Sequence, residues 1–140
     1  MMKPCVIEDQ KAWDESRHKT EYFVKALAGK DLVLCLVSAA EYLGLCSCTM
    51  ELMIYTLTKE ECEREGLEIT FDGDIWYTTV NQTINDLLED DTIDEQVIQE
   101  ALADQYYENN YANLTIKPEN QKAFEHYKEW AEQYLSLIHI

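Results

Sequence analysis

"LEITFDGDIWYTTVNQTINDLL" (Leu67 to Leu88) decides the fold of this chain. Its first half alternates apolar and polar residues on either side of Asp72-Gly73, a dipeptide suited to the positive φ angles of a tight turn, so it predicts a β-hairpin. The second strand runs into Thr79, where the period changes. Thr79 and Gln82 stand at the spacing of a capping box, in which each side chain satisfies an orphan backbone donor of the other at a helix start. Ile84, Leu87 and Leu88 then fall on one helical face. A hairpin that passes directly into an amphipathic helix sets a sheet against helices.

Upstream, "ELMIYTLT" (Glu51 to Thr58) reads as a strand, followed by a capping box from Thr58 to Glu61 and a stop at Gly66. "DLVLCLVSAAEYLGL" (Asp31 to Leu45) passes from a buried strand into a short helix that Ser38 is expected to cap and Gly44 to end. From Asp9 to Ala28, the recurrence of Trp13, Thr20, Val24 and Leu27, with Phe23 alongside, predicts one helix closed by Gly29.

Downstream, Thr92 and Glu95 form a second expected box. The helix it opens has Val97, Ile98, Ala101, Leu102 and Tyr106 as its inward stripe. A loop around "ENNYANLTI" follows. Pro118 then opens a last helix with Phe124, Tyr127, Ala131 and Tyr134 on one face. The predicted class is α+β: a small mixed sheet with a β-hairpin, packed by an N-terminal helix and a C-terminal set of about three helices, in a single domain over residues 1–134. Residues 135–140, "LSLIHI", translate a common transposon mosaic-end adapter and are read as a library-preparation tail, so His139 is given no role.

Charge narrows the function classes. The net charge is −17, yet 46% of residues are hydrophobic and aromatics are spread along the chain, so the acid belongs to a folded surface. Such a surface is repelled by nucleic-acid phosphates and anionic lipid and attracted to basic proteins. Between residues 81 and 112 there is no lysine or arginine at all. Glu100, Asp104 and Glu108 share one i, i+4 row, where like charges destabilise a helix by a few tenths (~0.3) of a kcal/mol per pair. Glu89, Asp90, Asp91 and Glu95 are expected near helix N-termini, where the macrodipole favours them. These seven acids form the candidate partner-binding face.

The catalytic and metal motifs are weaker. Cys46-Ser47-Cys48 lacks the second pair of ligands a structural zinc needs, and the other cysteines read as small buried hydrophobes. Their odd count of five, and a start without an apolar leader, suggest a reduced, cytoplasmic location. No stretch approaches the roughly 18 apolar residues of a membrane span. His18 and His126 sit in no catalytic spacing. Ser38 lacks the glycines of a nucleophile elbow. Asp72-Gly73-Asp74 has the carboxylate spacing of a nucleotidyltransferase metal site, but its glycine suits a turn better and no Gly-Ser element precedes it. No cofactor and no metal are expected.

Two of these stretches together resemble a known family. "SAAEYLGL" (Ser38 to Leu45) is similar to the Ser-Ala-Leu-x-x-x-Gly-Leu element of the AbiEi-type antitoxins of type IV toxin-antitoxin, or abortive infection, systems. "TTVNQTINDLL" (Thr78 to Leu88) resembles that family's Thr-x-Pro-Glu-Arg-Thr-x-x-Asp-Leu-Leu junction, and "IQEALADQYY" its next helix. The matching positions are Ser38, Ala39, Gly44, Leu45, Thr79, Thr83, Asp86, Leu87 and Leu88, while Val80, Asn81 and Gln82 replace the usual Pro, Glu and Arg. The family's N-terminal winged helix-turn-helix has no room in the residues before the first strand.

The resemblance implies a non-enzymatic domain that neutralises a nucleotidyltransferase-like toxin without reading DNA itself. The expected partner is accordingly a basic protein, toxin or nuclease, with no direct nucleic-acid or membrane contact. Two alternatives remain open: a phage or mobile-element inhibitor of the anti-CRISPR or anti-restriction kind whose carboxylates imitate nucleic acid, and a degenerate nucleotidyltransferase holding magnesium at Asp72 and Asp74.

Overall fold

The computed structural model describes residues 3–47 and 52–138, with side chains described through residue 133. Its centre is a mixed sheet in the order β1-β3-β2-β5-β4. The strands are β1 (Cys5–Ile7), β2 (Leu32–Leu34), β3 (Ile54–Thr58), β4 (Ile69–Phe71) and β5 (Trp76–Thr78). Only β2 and β5 run parallel; β1 and β2 flank β3 antiparallel, and β4 pairs antiparallel with β5 as Ile69↔Thr78, Thr70↔Tyr77 and Phe71↔Trp76. The class is α+β, with the hairpin at one edge.

Helices α1 (Gln10–Asp14) and α2 (Lys19–Leu27) cover one face of the sheet. Tyr22, Phe23, Ala26 and Leu27 bury there against Leu34, Ile54 and Ile75. On the other face lie α4 (Lys59–Glu65), α5 (Val80–Glu89), α6 (Glu95–Asn109) and α7 (Gln121–Ile138), with α3 (Leu36–Tyr42) leading off the end of β2. Val33 and Leu57 of the sheet, Cys62, Ile84, Leu87, Ile98, Leu102, Phe124 and Ala131 form this larger core. Alternation along each strand explains the two cores: Val33 points to one and Leu34 to the other. No helix among the described residues is long and apolar enough to cross a membrane.

Several local expectations need correction. The N-terminal segment is two helices, because Asp9 caps α1 through Ala12 N–H and His18 starts a new helix by accepting from Glu21 N–H. A three-residue edge strand, β1, precedes them. Ser38 lies inside α3 rather than capping it; Cys35 is the cap residue and makes no side-chain bond there. Gly44 does end that segment, at φ +77, and Leu45 N–H closes back on Ala40 C=O.

In the hairpin only Gly73 has positive φ. Asp72 instead accepts from the N–H groups of Asp74 and Ile75 and so folds the connection. The box from Thr58 to Glu61 is complete, and Gly66 follows it in the left-handed region. At α5, however, Thr79 accepts from Gln82 N–H while the Gln82 side chain turns away, its Oε1 accepting from Glu68 N–H. There is no box at Thr92. Asp94 caps α6, and Thr92 donates to Asp90 instead. The buried row of α6 ends on Gln105 (6% exposed) rather than Tyr106 (37%), following the helical period 97, 98, 101, 102, 105. Pro118 opens a 3-10 turn that leads into α7.

Candidate interaction surface

The acid face is built on α6 and on the turn that enters it. Glu89, Asp91, Glu95 and Glu108 are exposed, whereas Asp90, Glu100 and Asp104 are half-buried. The i, i+4 row therefore flanks the buried stripe rather than standing clear of it. Glu100 is held by Ser47 N–H and by Gln96 Nε2, Asp104 accepts from Gln105 Nε2, and Asp90 accepts from Thr92. Glu95 sits beside Tyr127 of α7, whose phenol is pushed up first by burial and then by that carboxylate.

The ion pairs among the described residues are His18–Glu21, Lys19–Glu41 and Lys25–Glu21, all in the first third of the chain. None draws on the seven acids. One expectation about them is overturned: α5 runs to Glu89, so Glu89 and Asp90 stand at a helix C-terminus, where the macrodipole disfavours them. Only Asp94 and Glu95 have the favourable N-terminal placement.

The residues of the family-like motif take structural positions. Ala39, Leu45, Leu87 and Leu88 are in the core, and Gly44 supplies a left-handed turn. Ser38 is 1% exposed and its Oγ accepts from Tyr55 N–H at 2.9 Å, tying α3 to β3. The strained turn between β2 and α3 is occupied by Leu36, at φ 50, so no nucleophile stands at that elbow. Thr79 caps α5 and also donates to Glu68. Thr83 and Thr78 share a buried hydroxyl bond of 2.7 Å between β5 and α5.

Asp86 is the exception to ordinary packing. Its carboxyl is 3% exposed, Oδ1 accepts from Gln82 Nε2 at 2.8 Å, and Oδ2 has no partner among the described residues. Burial pushes it up to about 6, against the Gln82 bond and distant Lys117, which lower it, and Glu89, which adds to the rise. Burial, first of all, pushes up the Cys35 and Cys62 thiols, the latter to about 11; the Asp86 charge adds to the rise at Cys35, and at Cys62 the charge of Glu61 and then that of Asp86. These two cysteines and Cys46 are buried as expected, but Cys5 is exposed. Cys48 lies outside the described residues.

Asp72 and Asp74 meet at the hairpin connection. Asp72 accepts from the Tyr42 hydroxyl as well as from two backbone N–H groups. Burial alone would raise its carboxyl, but those donors outweigh it and leave it lowered. Oδ1 thus serves the turn, and Oδ2 meets the Tyr42 hydroxyl of α3. Among the described residues no group of three or more His, Cys, Asp and Glu is gathered as a metal site. His18 is a helix cap, and His126 is exposed against Tyr127.

Two features went unread in the sequence. One is a cavity of about 320 Å3 where Ser38 and Glu41 of α3 face Tyr55 of β3 and Thr92, Asp94 and Gln96 at the α6 entrance. The other is an interlock of Asn81, Asn85 and Asn120. Asn85 Nδ2 donates to Thr115 C=O, and its Oδ1 accepts from Lys117 N–H and Asn120 Nδ2, fastening the segment between α6 and α7 to α5. The i, i+4 pair of Asn81 and Asn85 was the available signal; Asn120, 35 residues on, gave none. Comparison with family models, with curated proteins and with solved structures finds no match to this chain.

Proposed function

We propose that this chain is a cytoplasmic, non-catalytic binding domain, AbiEi-like in kind, that neutralises or regulates a basic toxin or defence protein through the carboxylate face of α6. One observation carries the reading: seven acids, Glu89 to Glu108, sit outside the core in a stretch without lysine or arginine, and none is engaged in an ion pair among the described residues. An uncompensated stripe of one sign costs stability at home and is relieved when a surface of the opposite sign covers it. It also accelerates encounter with that surface.

The likeness to the antitoxins rests on positions that serve as cap, turn and core, so it speaks to the scaffold, and the partner-facing acids are this chain's own. The test is capture of partners from host lysate by the wild-type chain and by one carrying Glu95→Lys and Glu108→Lys, two exposed sites whose reversal spares the core. Loss of a basic partner on reversal, with a binding constant that weakens steeply with salt, supports the reading. Unchanged binding by the reversed chain refutes the surface. Competition with DNA for a nuclease would favour nucleic-acid mimicry instead.

A further inference from the structure

The β4 edge of the sheet carries backbone groups that the fold leaves free. In an antiparallel pair, hydrogen-bonded and non-bonded residue pairs alternate. Thr79 N–H donates to Glu68 C=O and Asp72 N–H to Ile75 C=O, so the bonded pairs are 68 with 79, 70 with 77 and 72 with 75. Ile69 and Phe71 fall between them. Their N–H and C=O groups consequently point away from β5, off the end of the sheet, and no hydrogen bond to either residue's outward groups occurs among the described residues.

The side chains along this edge are sorted by face. Glu68, Thr70 and Asp72 share one side, and Ile69 and Phe71 the other. Phe71 is 49% exposed and stacks at 5.2 Å on Trp76, its neighbour on β5. Both rings border a hollow of about 420 Å3 whose far wall is Gly29, Lys30 and Asp31. The edge thus offers two acids flanking a threonine on one side and an aromatic shelf on the other.

We propose that the outer edge of β4 docks an extended segment of a partner protein in which basic and apolar residues alternate. Main-chain bonds to Ile69 and Phe71 add the segment as a sixth strand; its apolar side chains lie on Phe71, and its basic ones face the negative charge that Glu68 keeps while bonded to Thr79 and Asn81, and Asp72 while bonded to Tyr42 and the turn. A second copy of this chain does not fit as the occupant. In the antiparallel register that pairs Ile69 with Phe71 of the copy, Glu68 would stand opposite the copy's Asp72, and two chains of −17 repel as their surfaces approach. The site is separate from the α6 face, so either reading can fail without the other.

The test uses the full chain and a short synthetic peptide alternating lysine and valine, with a peptide of the same composition in which lysines and valines form two blocks as control. The alternating peptide is expected to bind saturably, to protect the Ile69 and Phe71 amides from hydrogen exchange, and to bind about tenfold more weakly to Phe71→Pro. That substitution removes an outward N–H and leaves the β5 ladder intact, a position where an edge strand tolerates proline. Phe71→Ala, which keeps the N–H, should lose less. Should the proline variant not fold, exchange protection in the wild-type chain decides alone. Equal binding of the block peptide, protection confined to α6, or no binding overturns the proposal. So does a concentration-dependent dimer that protects the same two amides without peptide.

Discussion

Replacing Asp86 with asparagine should change how the stability of this domain depends on pH, by an amount fixed by one buried carboxyl. Asp86 titrates at about 6 in the folded chain against an ordinary 3.8. The folded state therefore holds the proton more tightly than the unfolded one, and the sign follows. The stability Asp86 contributes is fully present below the ordinary value and is lost as pH rises through the window from 3.8 to about 6. Across the whole window the loss is about 3 kcal/mol, and between about pH 4.5 and about pH 7 it is about 2 kcal/mol. Because the side chain is almost wholly buried, no discount for solvent screening applies.

The other carboxylates also titrate over this range, so a single pH curve does not isolate Asp86. The asparagine of the variant keeps the bond from Gln82 and cannot titrate, which makes the difference between the two curves the measurement. Urea unfolding at about pH 4.5, 5.5 and 7, with the slope checked for constancy, should show wild-type stability falling relative to Asp86→Asn by about 2 kcal/mol over the range. The absolute stability of the variant depends on whether the new NH2 group finds an acceptor where Oδ2 had none. The pH difference does not. Parallel curves, agreeing within about 0.5 kcal/mol, would show that the carboxyl is better solvated than its 3% exposure indicates.

Asn85→Ala removes the partner of Thr115 C=O, Lys117 N–H and Asn120 Nδ2 together, and should destabilise the domain by about 3 kcal/mol with accelerated hydrogen exchange at Lys117. Thr79→Ala deletes the α5 cap and its bond to Glu68, a loss of about 1 kcal/mol by urea unfolding, which Thr79→Ser should largely restore. Asn110→Gly, at φ 54 beyond the end of α6, should leave the melting temperature unchanged or raise it slightly, whereas Asn110→Val should lower it by several degrees, about 4 °C.

How much of this was legible in the sequence depends on the range of the interactions involved. The hairpin at Asp72-Gly73, the complete Thr58–Glu61 box and the Gly66 stop are local, and their signals lie within a few residues of the structure they cause. Competition between equally good local partners is where reading failed. Thr92 had the spacing of a cap, but Asp90 lies two residues before it and takes its hydroxyl and N–H, leaving Asp94 to start α6. Gln82 likewise had a long-range partner in Glu68 N–H, across the hairpin, that no window of local sequence reveals. At the end of α6, apolarity pointed to Tyr106, but the helical period placed Gln105 inward, and period prevailed because the backbone fixes direction before the side chain's hydropathy is consulted.

The candidate surface shows the same division more sharply. That the acids are uncompensated was visible from composition, because a segment without lysine or arginine has no local cation to offer. Which acids remain available was not, since Glu100 is claimed by Ser47 N–H from a segment 53 residues away. A carboxylate already holding a hydrogen-bond donor gains less by meeting a partner's cation than a free one does, because the bond must be shared or broken. Glu108, exposed at the C-terminal end of α6, should thus carry more of any partner's binding energy than Glu100 or Asp104 in the middle of the row, with Glu95, which already meets Tyr127, between them. Single substitutions to glutamine, which remove charge and keep shape, test this ordering directly: a larger loss of binding at Glu100 than at Glu108 would mean that the centre of the helix, not its C-terminal end, faces the partner.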